Sequence, residues 1–160
     1  MNAVKARIRK FREEDAADTS AMLLQAFAWF HKNNRNSWLW RSLQPQSLVS
    51  NNNSQDILIA TNEKGRVVGY IASSSALYGA AYIPTVAVHP RYQNKGLGTT
   101  LLQAKLRQLR SQRMRKAWLL VNRLNPEAVG FYLKHGFVIE GYLRSHTGQN
   151  SDEILLSKFL

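Results

Sequence analysis

The chain has 160 residues, 44% hydrophobic and 20% charged, which is the balance of a globular domain and excludes a disordered chain. The absence of cysteine excludes disulfides, thiolate metal sites and a cysteine nucleophile. Lys and Arg number 22 against 10 Asp and Glu, so the formal charge is +12, and no acidic residue stands between Glu63 and Glu127. This basic block favours a polyanionic partner or a phosphate-rich cofactor, with a merely solvated basic face as the plainer alternative.

No apolar run approaches the roughly 20 residues that a membrane helix needs. The chain passes from Met1 into mixed charged sequence without the apolar core of a secretory signal. We therefore expect a cytoplasmic protein without membrane association, formed by one domain over residues 1–160.

The first half of the chain contains a strand, a helix and a β-hairpin. Residues 6–11 alternate apolar and charged side chains, as a half-buried strand does. Carboxylates crowd residues 12–15, where they suit the positive end of a helix dipole, and an apolar stripe predicts that helix over 16–30. Residues 31–55 show no clear pattern and could hold a second helix, while residues 56–61 and 66–73 flank a turn as paired strands.

The second half alternates strands with helices and ends in two strands. A strand over 82–88 precedes a helix over 96–113, and a short strand over 117–121 precedes a helix over 126–135. Pro126 suits the first turn of the second helix, and Gly136 suits its C-terminal cap. With closing strands over 137–144 and 154–159, the order predicts an α/β fold around a mixed sheet.

A glycine-containing loop joins the strand over 82–88 to the following helix. Gly96 and Gly98 allow a tight turn at a helix N-terminus, where outward amides bind phosphate. The loop is not a Walker A motif, because Lys95 precedes the first glycine instead of following the last. It is not a dinucleotide fingerprint, because Leu101 stands where the third glycine belongs. The remaining pattern, Gln-x-x-Gly-x-Gly from Gln93, is on its own also compatible with a simple turn.

A second motif follows one strand later, since residues 125–137 read Asn-Pro-Glu-Ala-Val-Gly-Phe-Tyr-Leu-Lys-His-Gly-Phe. Together, the loop and this helix resemble the Gcn5-related N-acetyltransferase (GNAT) superfamily. The resemblance covers residues 56–160 well and 6–30 by element order, and it is silent on 31–55. It implies a single-domain fold with a mixed, mostly antiparallel central sheet, flanked by helices and splayed between the two central strands.

The resemblance also implies acetyl-CoA as the acyl donor, coenzyme A as the product, and no metal. The pyrophosphate would then bind the loop formed by Gln93, Asn94, Lys95, Gly96, Leu97, Gly98 and Thr99. The pantetheine would lie along Val86, Ala87 and Val88, with the Val88 amide facing the thioester oxygen, unless these are only core strand residues. Asn125 would contact the cofactor, or only cap its helix.

Tyr132 is the candidate general acid. A phenol, with a pKa near ~10, still carries its proton at neutral pH and can donate it as the thiolate departs, whereas a typical thiol has a pKa near ~8.5. Tyr132 could instead pack as a core aromatic, although we expect Phe131 to take that place, because adjacent helical residues face different directions.

The general base stays open. The family commonly has a glutamate on the strand entering the loop, where this chain has Tyr82, or five residues before the capping asparagine, where it has Leu120. A base acting through water, or one of His31, Glu14, Glu140 and Asp152, are the alternatives, and an acceptor arriving as a free amine would need no strong base.

The predicted activity is acetyl transfer to a primary amine by direct attack in a ternary complex. The acceptor would be a small molecule or a protein N-terminus. Aromatic residues could line the acceptor site, unless they only build the core: Trp29, Phe30, Trp38, Trp40 and Tyr142. The alternative is a basic nucleic-acid- or ribosome-binding module on the same scaffold, which is disfavoured but which the charge does not exclude. The sequence leaves a homodimer open.

Overall fold

The computed structural model describes residues 5–28, 38–148 and 151–160. Trp29, Phe30 and His31, which the sequence analysis singled out, lie outside the described residues, as does the side chain of Trp38. Within the described residues the segment that showed no clear pattern contains two short helices, at 38–42 and 45–51.

The described residues form strands and helices in nearly the predicted order. The strands are β1 (Arg7–Lys10), β2 (Asp56–Thr61), β3 (Val67–Ser75), β4 (Ala80–Val88), β5 (Lys116–Asn122), β6 (Val138–Leu143) and β7 (Glu153–Phe159). The α-helices are α1 (Ala16–Ala26), α2 (Trp38–Ser42), α3 (Pro45–Asn51), α4 (Leu97–Ser111) and α5 (Pro126–Lys134). Short 3-10 turns occupy Glu13–Asp15, Leu77–Gly79 and Pro90–Tyr92.

The seven strands have the order β1-β2-β3-β4-β5-β7-β6. β1 pairs with β2, β2 with β3, β5 with β7 and β6 with β7, all antiparallel, whereas β4 and β5 pair in parallel. The predicted mixed, mostly antiparallel sheet of an α/β fold is therefore confirmed.

The chain divides into two compact units. The first unit comprises Met1–Ser73 and Thr85–Lys105, and the second comprises Ser74–Pro84 and Leu106–Leu160. The expectation of a single domain over residues 1–160 stays a prediction.

An ion pair fixes the start of α1 in the first unit. Arg9 on β1 donates two hydrogen bonds to the Asp15 carboxylate, at 2.7 and 2.6 Å, and the Arg12 amide donates a third at 2.8 Å. Hydrogen bonding from Arg9 holds the pKa of Asp15 below its usual range. The predicted cluster of acidic residues at this helix start therefore includes one carboxylate that ties the helix to the sheet.

At Gly69 on β3, side chains of α4 pack tightly against the sheet of the first unit. A Cβ atom built on Gly69 would lie 2.6 Å from Leu101 Cδ1 and 3.2 Å from Ala60 Cβ. Leu101 is fully buried, so its methyl group has little room to move aside. A glycine here lets the first turns of α4 rest directly on the strand backbone.

Lys105 lies four residues after Leu101 and is fully buried. Its Nζ donates a 2.7 Å hydrogen bond to the Asp56 carbonyl at the start of β2. Burial lowers the pKa of Lys105 from 10.5 to about 8, because removal from water disfavours the ammonium form. This lysine joins α4 to β2 at a cost in desolvation.

The buried lysine predicts an unusual pH dependence of stability. Its pKa is lower in the folded than in the unfolded chain, so between the two values the unfolded chain binds more protons and the stability due to Lys105 rises with pH. The free energy of unfolding of the wild type, minus that of Lys105→Met, should increase by about 2 kcal/mol from about pH 7 to about pH 10. Urea titrations of both proteins at both pH values measure this difference in the free energy of unfolding.

The matched control is Lys64→Met, which removes an exposed lysine from the β2–β3 turn. A difference for Lys105→Met that is flat across this pH range would show that the buried ammonium is not destabilised by burial.

In the second unit, β4 and β5 pair over a short distance. The parallel ladder has three residue pairs, Ala80–Tyr82 with Lys116–Trp118, although β4 is nine residues long. Ile83 and Pro84 continue β4 without a β5 partner in this ladder, and Pro84 has no amide hydrogen. The short ladder agrees with the predicted splay. Pro84 is thus the residue within the strand that lacks an amide donor. At the end of the strand, the His89 amide is already paired, since it donates to the Val68 carbonyl at 3.0 Å.

Candidate functional site

The loop between β4 and α4 in the first unit is exposed and tightly turned. Asn94 and Gly96 have φ angles of 57° and 82°, in the left-handed region, and residues 93–96 are exposed to solvent. Nothing lies within 4 Å of a Cβ atom built on Gly96. The predicted turn at the helix N-terminus is therefore present, with open space beside its first glycine.

Hydrogen bonds within the loop fix its shape. Gln93 Nε2 donates to the Val88 carbonyl at 3.0 Å, and Lys95 Nζ donates to the Arg91 carbonyl at 2.8 Å. His89 Nδ1 accepts a 3.1 Å hydrogen bond from the Arg91 amide. The side chains of Gln93 and Lys95 thus brace the loop.

The helix N-terminus after the loop offers backbone amides to a ligand. The Leu97 side chain is buried, so this residue anchors α4 to the core and can reach a ligand only through its backbone. The Thr100 amide donates to the Gly96 carbonyl at 3.1 Å, which begins the hydrogen-bond ladder of the helix. A helix leaves the amides before this point without an intrahelical acceptor, and such amides together with the helix dipole attract anions.

The last residues of β4 alternate between core and surface. The Ala87 side chain is buried in the core of the first unit, whereas Val86 and Val88 are half-buried. Their assignment to the pantetheine stays a prediction.

In the second unit, Asn125 caps α5. Its Oδ1 accepts a 3.1 Å hydrogen bond from the Ala128 amide, and Pro126 occupies the first turn. Gly136 follows the helix with a φ of 80°, as predicted for its C-terminal cap. Lys158 Nζ on β7 donates a 2.6 Å hydrogen bond to the His135 carbonyl, so this backbone carbonyl at the helix end also has a partner.

Tyr132 is the buried aromatic of α5, which corrects the expectation that Phe131 would be. Tyr132 is 8% exposed and packs edge-on against Phe131 and Phe137, with ring centroids 5.2 and 5.5 Å away, whereas Phe131 is only half-buried. The Gly136 turn brings Phe137 back onto the helix, which sequence reasoning did not anticipate. Burial raises the pKa of Tyr132 well above 10, so its phenol stays protonated in neutral solution.

Three of the four sequence candidates for a general base already have partners. Glu140 accepts two hydrogen bonds from Lys116, at 2.8 and 2.7 Å, and Glu14 pairs with Arg12 at 3.2 Å. Asp152 accepts from the Tyr142 hydroxyl at 2.5 Å and the Ser145 amide at 2.9 Å, and it pairs with Arg123 at 3.1 Å. These hydrogen bonds hold the pKa values of Glu140 and Asp152 below their usual range, which makes both weak proton acceptors. The fourth candidate, His31, is not among the described residues.

Sequence reasoning missed Glu153, the first residue of β7. Burial raises the pKa of its carboxyl group, and its Oε2 atom is buried without a hydrogen-bond partner within the described residues. The only available signal was an acidic residue at the start of an apolar strand. Its register against β5 could not be read from the sequence.

Two classes of site are absent from the described residues. Among residues 5–28, 38–148 and 151–160, no group of three or more His, Asp and Glu side chains is placed to hold a metal ion. In the same residues, no helix combines the length and the apolar character needed to cross a bilayer.

Comparison with known proteins identifies a family. The model of the acetyltransferase (GNAT) family matches residues 10–137, which include the β4–α4 loop and the whole of α5. A curated relative, the uncharacterized N-acetyltransferase ycf52 of Gracilaria tenuistipitata var. liui, is 27% identical over 105 residues, 64% of this chain and 56% of that protein. The chain thus spans a little over half the length of the curated relatives it matches.

Solved structures show the same fold. The PaiA N-acetyltransferase of Thermoplasma acidophilum in complex with coenzyme A superposes with a TM-score of 0.80 at 21% identity, over 98% of this chain and all of that one. The ribosomal-protein-S18-alanine N-acetyltransferase of Escherichia coli gives a TM-score of 0.78 at 21% identity, over 96% of this chain and 93% of that one.

The loop geometry predicts a selective effect of a charged side chain at Gly96. We expect Gly96→Glu to abolish binding of coenzyme A in titration calorimetry, because the side chain would fill the open space beside the amides and repel phosphate. The matched control is Gly65→Glu, since Gly65 also has a positive φ, 75°, and nothing within 4 Å of its Cβ position. Both variants carry the same charge change and a similar backbone strain of about 1–2 kcal/mol.

Circular dichroism and thermal melts would confirm that both variants fold. Normal binding of coenzyme A by folded Gly96→Glu, or equal losses in both variants, would contradict the assignment of the loop.

Proposed function

The chain belongs to the acetyltransferase (GNAT) family, and we propose that it is an N-acetyltransferase that moves an acetyl group from acetyl-CoA to a primary amine by direct attack in a ternary complex. The observation that carries this proposal is the exposed β4–α4 loop, in which Asn94 and Gly96 turn the backbone at the start of a 15-residue helix. The comparisons do not favour the alternative of a basic nucleic-acid-binding module.

The residues of the loop fit a pyrophosphate. The open space at Gly96 leaves room for a bulky anion, and no carboxylate occurs between Glu63 and Glu127 to repel it. Arg91 is exposed beside the loop and adds positive charge. We assign pyrophosphate binding to Gln93, Asn94, Lys95, Gly96, Leu97, Gly98 and Thr99, and pantetheine binding to Val86, Ala87, Val88 and Asn125.

Acetyl-CoA supplies the acetyl group as a reactive thioester. The Val88 amide is the proposed hydrogen-bond donor to the thioester oxygen, where negative charge develops. The Tyr132 hydroxyl is the proposed proton donor to the departing sulfur. Because its pKa is raised, Tyr132 holds this proton throughout the pH range in which the enzyme would be assayed.

The acceptor is proposed to be a small-molecule amine or a protein N-terminus. The similarity to an enzyme named for the alanine of ribosomal protein S18 supports the second class without deciding between them. Of the aromatic residues considered for this site, Tyr142 is exposed and donates to Asp152, and Trp40 is half-buried. A cytoplasmic location stays a prediction.

Two measurements test the proposal. Titration calorimetry at ~150 mM salt should show binding of acetyl-CoA and little binding of ribosomal RNA, because non-specific polyanion binding weakens steeply with salt. A panel of small amines and peptides with free N-termini, assayed by thiol release, should then contain an acceptor. Tight binding of RNA together with no binding of acetyl-CoA would overturn the proposed function.

Tyr132→Phe tests the proton donor. The change deletes only the hydroxyl, so folding and affinity for acetyl-CoA should be preserved. We expect kcat to fall by about 10²–10⁴-fold, the usual contribution of a positioned general acid. The loss should shrink with acyl donors whose leaving thiols have a lower pKa, because those thiolates depart without a proton.

The matched control is Tyr70→Phe, which removes the hydroxyl of a buried tyrosine on β3.

In the wild type, kcat should show no decline from ionisation of Tyr132 below about pH 10, since its pKa is raised. A Tyr132→Phe value within about threefold of the wild type would leave Tyr132 as a packing residue.

A further inference from the structure

One face of the sheet in the second unit is less buried than the other. Along β5, Ala117, Leu119 and Val121 are buried, whereas the alternate residues Trp118, Leu120 and Asn122 are half-buried. Side chains directly opposite each other on paired strands share a face. We call the face that carries Trp118, Leu120 and Asn122 the open face.

The strand register places Tyr82 and Glu153 on the open face. Tyr82 lies opposite Trp118, and their rings stack with centroids 4.3 Å apart. Glu153 lies opposite Asn122 on β5 and opposite Leu143 on β6. Burial raises the pKa of Tyr82 and the charge of Glu153 raises it further, so the two side chains are within electrostatic reach of each other. The open face therefore combines an aromatic stack with a carboxylate.

The Glu153 carboxylate is incompletely satisfied. Its Oε2 atom is buried and accepts no hydrogen bond from any described residue. Buried oxygens without a hydrogen bond are rare in folded proteins, because each lowers the stability of the fold by about 1–3 kcal/mol. The unpaired Oε2 of Glu153 therefore needs an explanation. A donor brought by a ligand, such as an ammonium group or a water molecule held by it, would satisfy this atom.

The other carboxylates of the second unit are engaged or exposed. Glu140 is held by Lys116, and Asp152 is held by Arg123, Tyr142 and the Ser145 amide. Glu127 is exposed in the first turn of α5. Burial raises the pKa of Glu153, whereas the hydrogen bonds of Glu140 and Asp152 lower theirs.

We propose that Glu153 is the proton acceptor for a substrate amine that arrives as an ammonium ion, directly or through one water molecule. This inference rests on the proposed acetyl transfer. The Glu153 carboxylate takes one proton from the ammonium, and the free nitrogen lone pair forms the new C–N bond while the C–S bond breaks. The sulfur takes a proton from Tyr132 or water, and the acylated nitrogen gives up its second proton, which restores that donor. Glu153 releases its proton to solvent, so each turnover yields one amide, one thiol and one proton.

The surroundings of Glu153 set its expected pH dependence. Burial raises the pKa of Glu153, His146 of the β6–β7 loop opposes this increase, and Tyr82 of β4 is neutral at assay pH. The neighbouring Asp152 is balanced by Arg123. As the pH falls, the Glu153 carboxylate is therefore protonated at a higher pH than that of an ordinary glutamate, and it can then no longer accept a proton. In the wild type, kcat/KM should decline on the acid side through that raised pKa.

The test compares Glu153→Gln with the wild type on two acceptors. One acceptor is an alkylamine, protonated at neutral pH, and the other is an amine of low pKa that is mostly neutral there. With the alkylamine, kcat/KM should fall by about 10²–10⁴-fold and the acid-side decline should disappear, as expected for loss of a general base. With the neutral amine the loss should be at least tenfold smaller, since no proton needs to be removed first.

Glu140→Gln is the matched control, because it removes a carboxylate of the same unit that is already paired. If Glu153→Gln fails to fold by circular dichroism, Glu153→Asp, which withdraws the carboxylate by one methylene, should show the same difference between the two acceptors. Equal losses on both acceptors, or an unchanged pH profile, would overturn the role of Glu153.

The wild type separates this inference from the proposed function. A wild type that binds acetyl-CoA and acetylates an amine, with a Glu153→Gln variant equally active on the alkylamine, would refute only the proton acceptor. A wild type that neither binds acetyl-CoA nor acetylates any amine of the panel would refute the proposed function and with it this inference.

Discussion

The first unit depends on how closely α4 approaches β3. At Gly69 even one methyl group would come within 2.6 Å of Leu101, so the glycine sets the distance between helix and sheet. Leu97 and Leu101 then lie on the strand, and the first turn of α4 is fixed where the loop ends. Lys105 extends the same contact by one helical turn to the start of β2. The position of the loop amides is thus a consequence of core packing.

Ion pairs in the second unit set the proton affinity of two of its carboxylates. Lys116 neutralises Glu140, and Arg123 neutralises Asp152, which also receives the Tyr142 hydroxyl. These pairs form at the surface, where each contributes little to stability but lowers the proton affinity of its carboxylate. One carboxylate, Glu153, is left with its proton affinity raised. Glu140 and Asp152 are thus held as weak proton acceptors, whereas Glu153 gains affinity for a proton.

Much of the fold could be predicted from local patterns, and the reasons differ by element. The helix after Gly96 was predictable because its leucines recur at helical spacing, and Asn125 and Pro126 mark the start of the next helix by capping chemistry alone. The burial of Lys105 could not be predicted from local sequence, because its hydrogen-bond partner is a carbonyl 49 residues away. Glu153 and the burial of Tyr132 depend on strand register and on the chain reversal at Gly136, which local sequence does not encode.

The lysine that caps α5 links two positions that are distant in sequence. Lys158 Nζ would lie 2.7 Å from a Cβ atom at Gly136, and it also holds the carbonyl of His135. A side chain at 136 is therefore compatible only with a shorter or displaced residue at 158, and loss of the lysine leaves the helix end without this hydrogen bond. The two positions are therefore sterically coupled: a substitution at either one limits the residues that the other can accept while the helix bearing Tyr132 keeps its end.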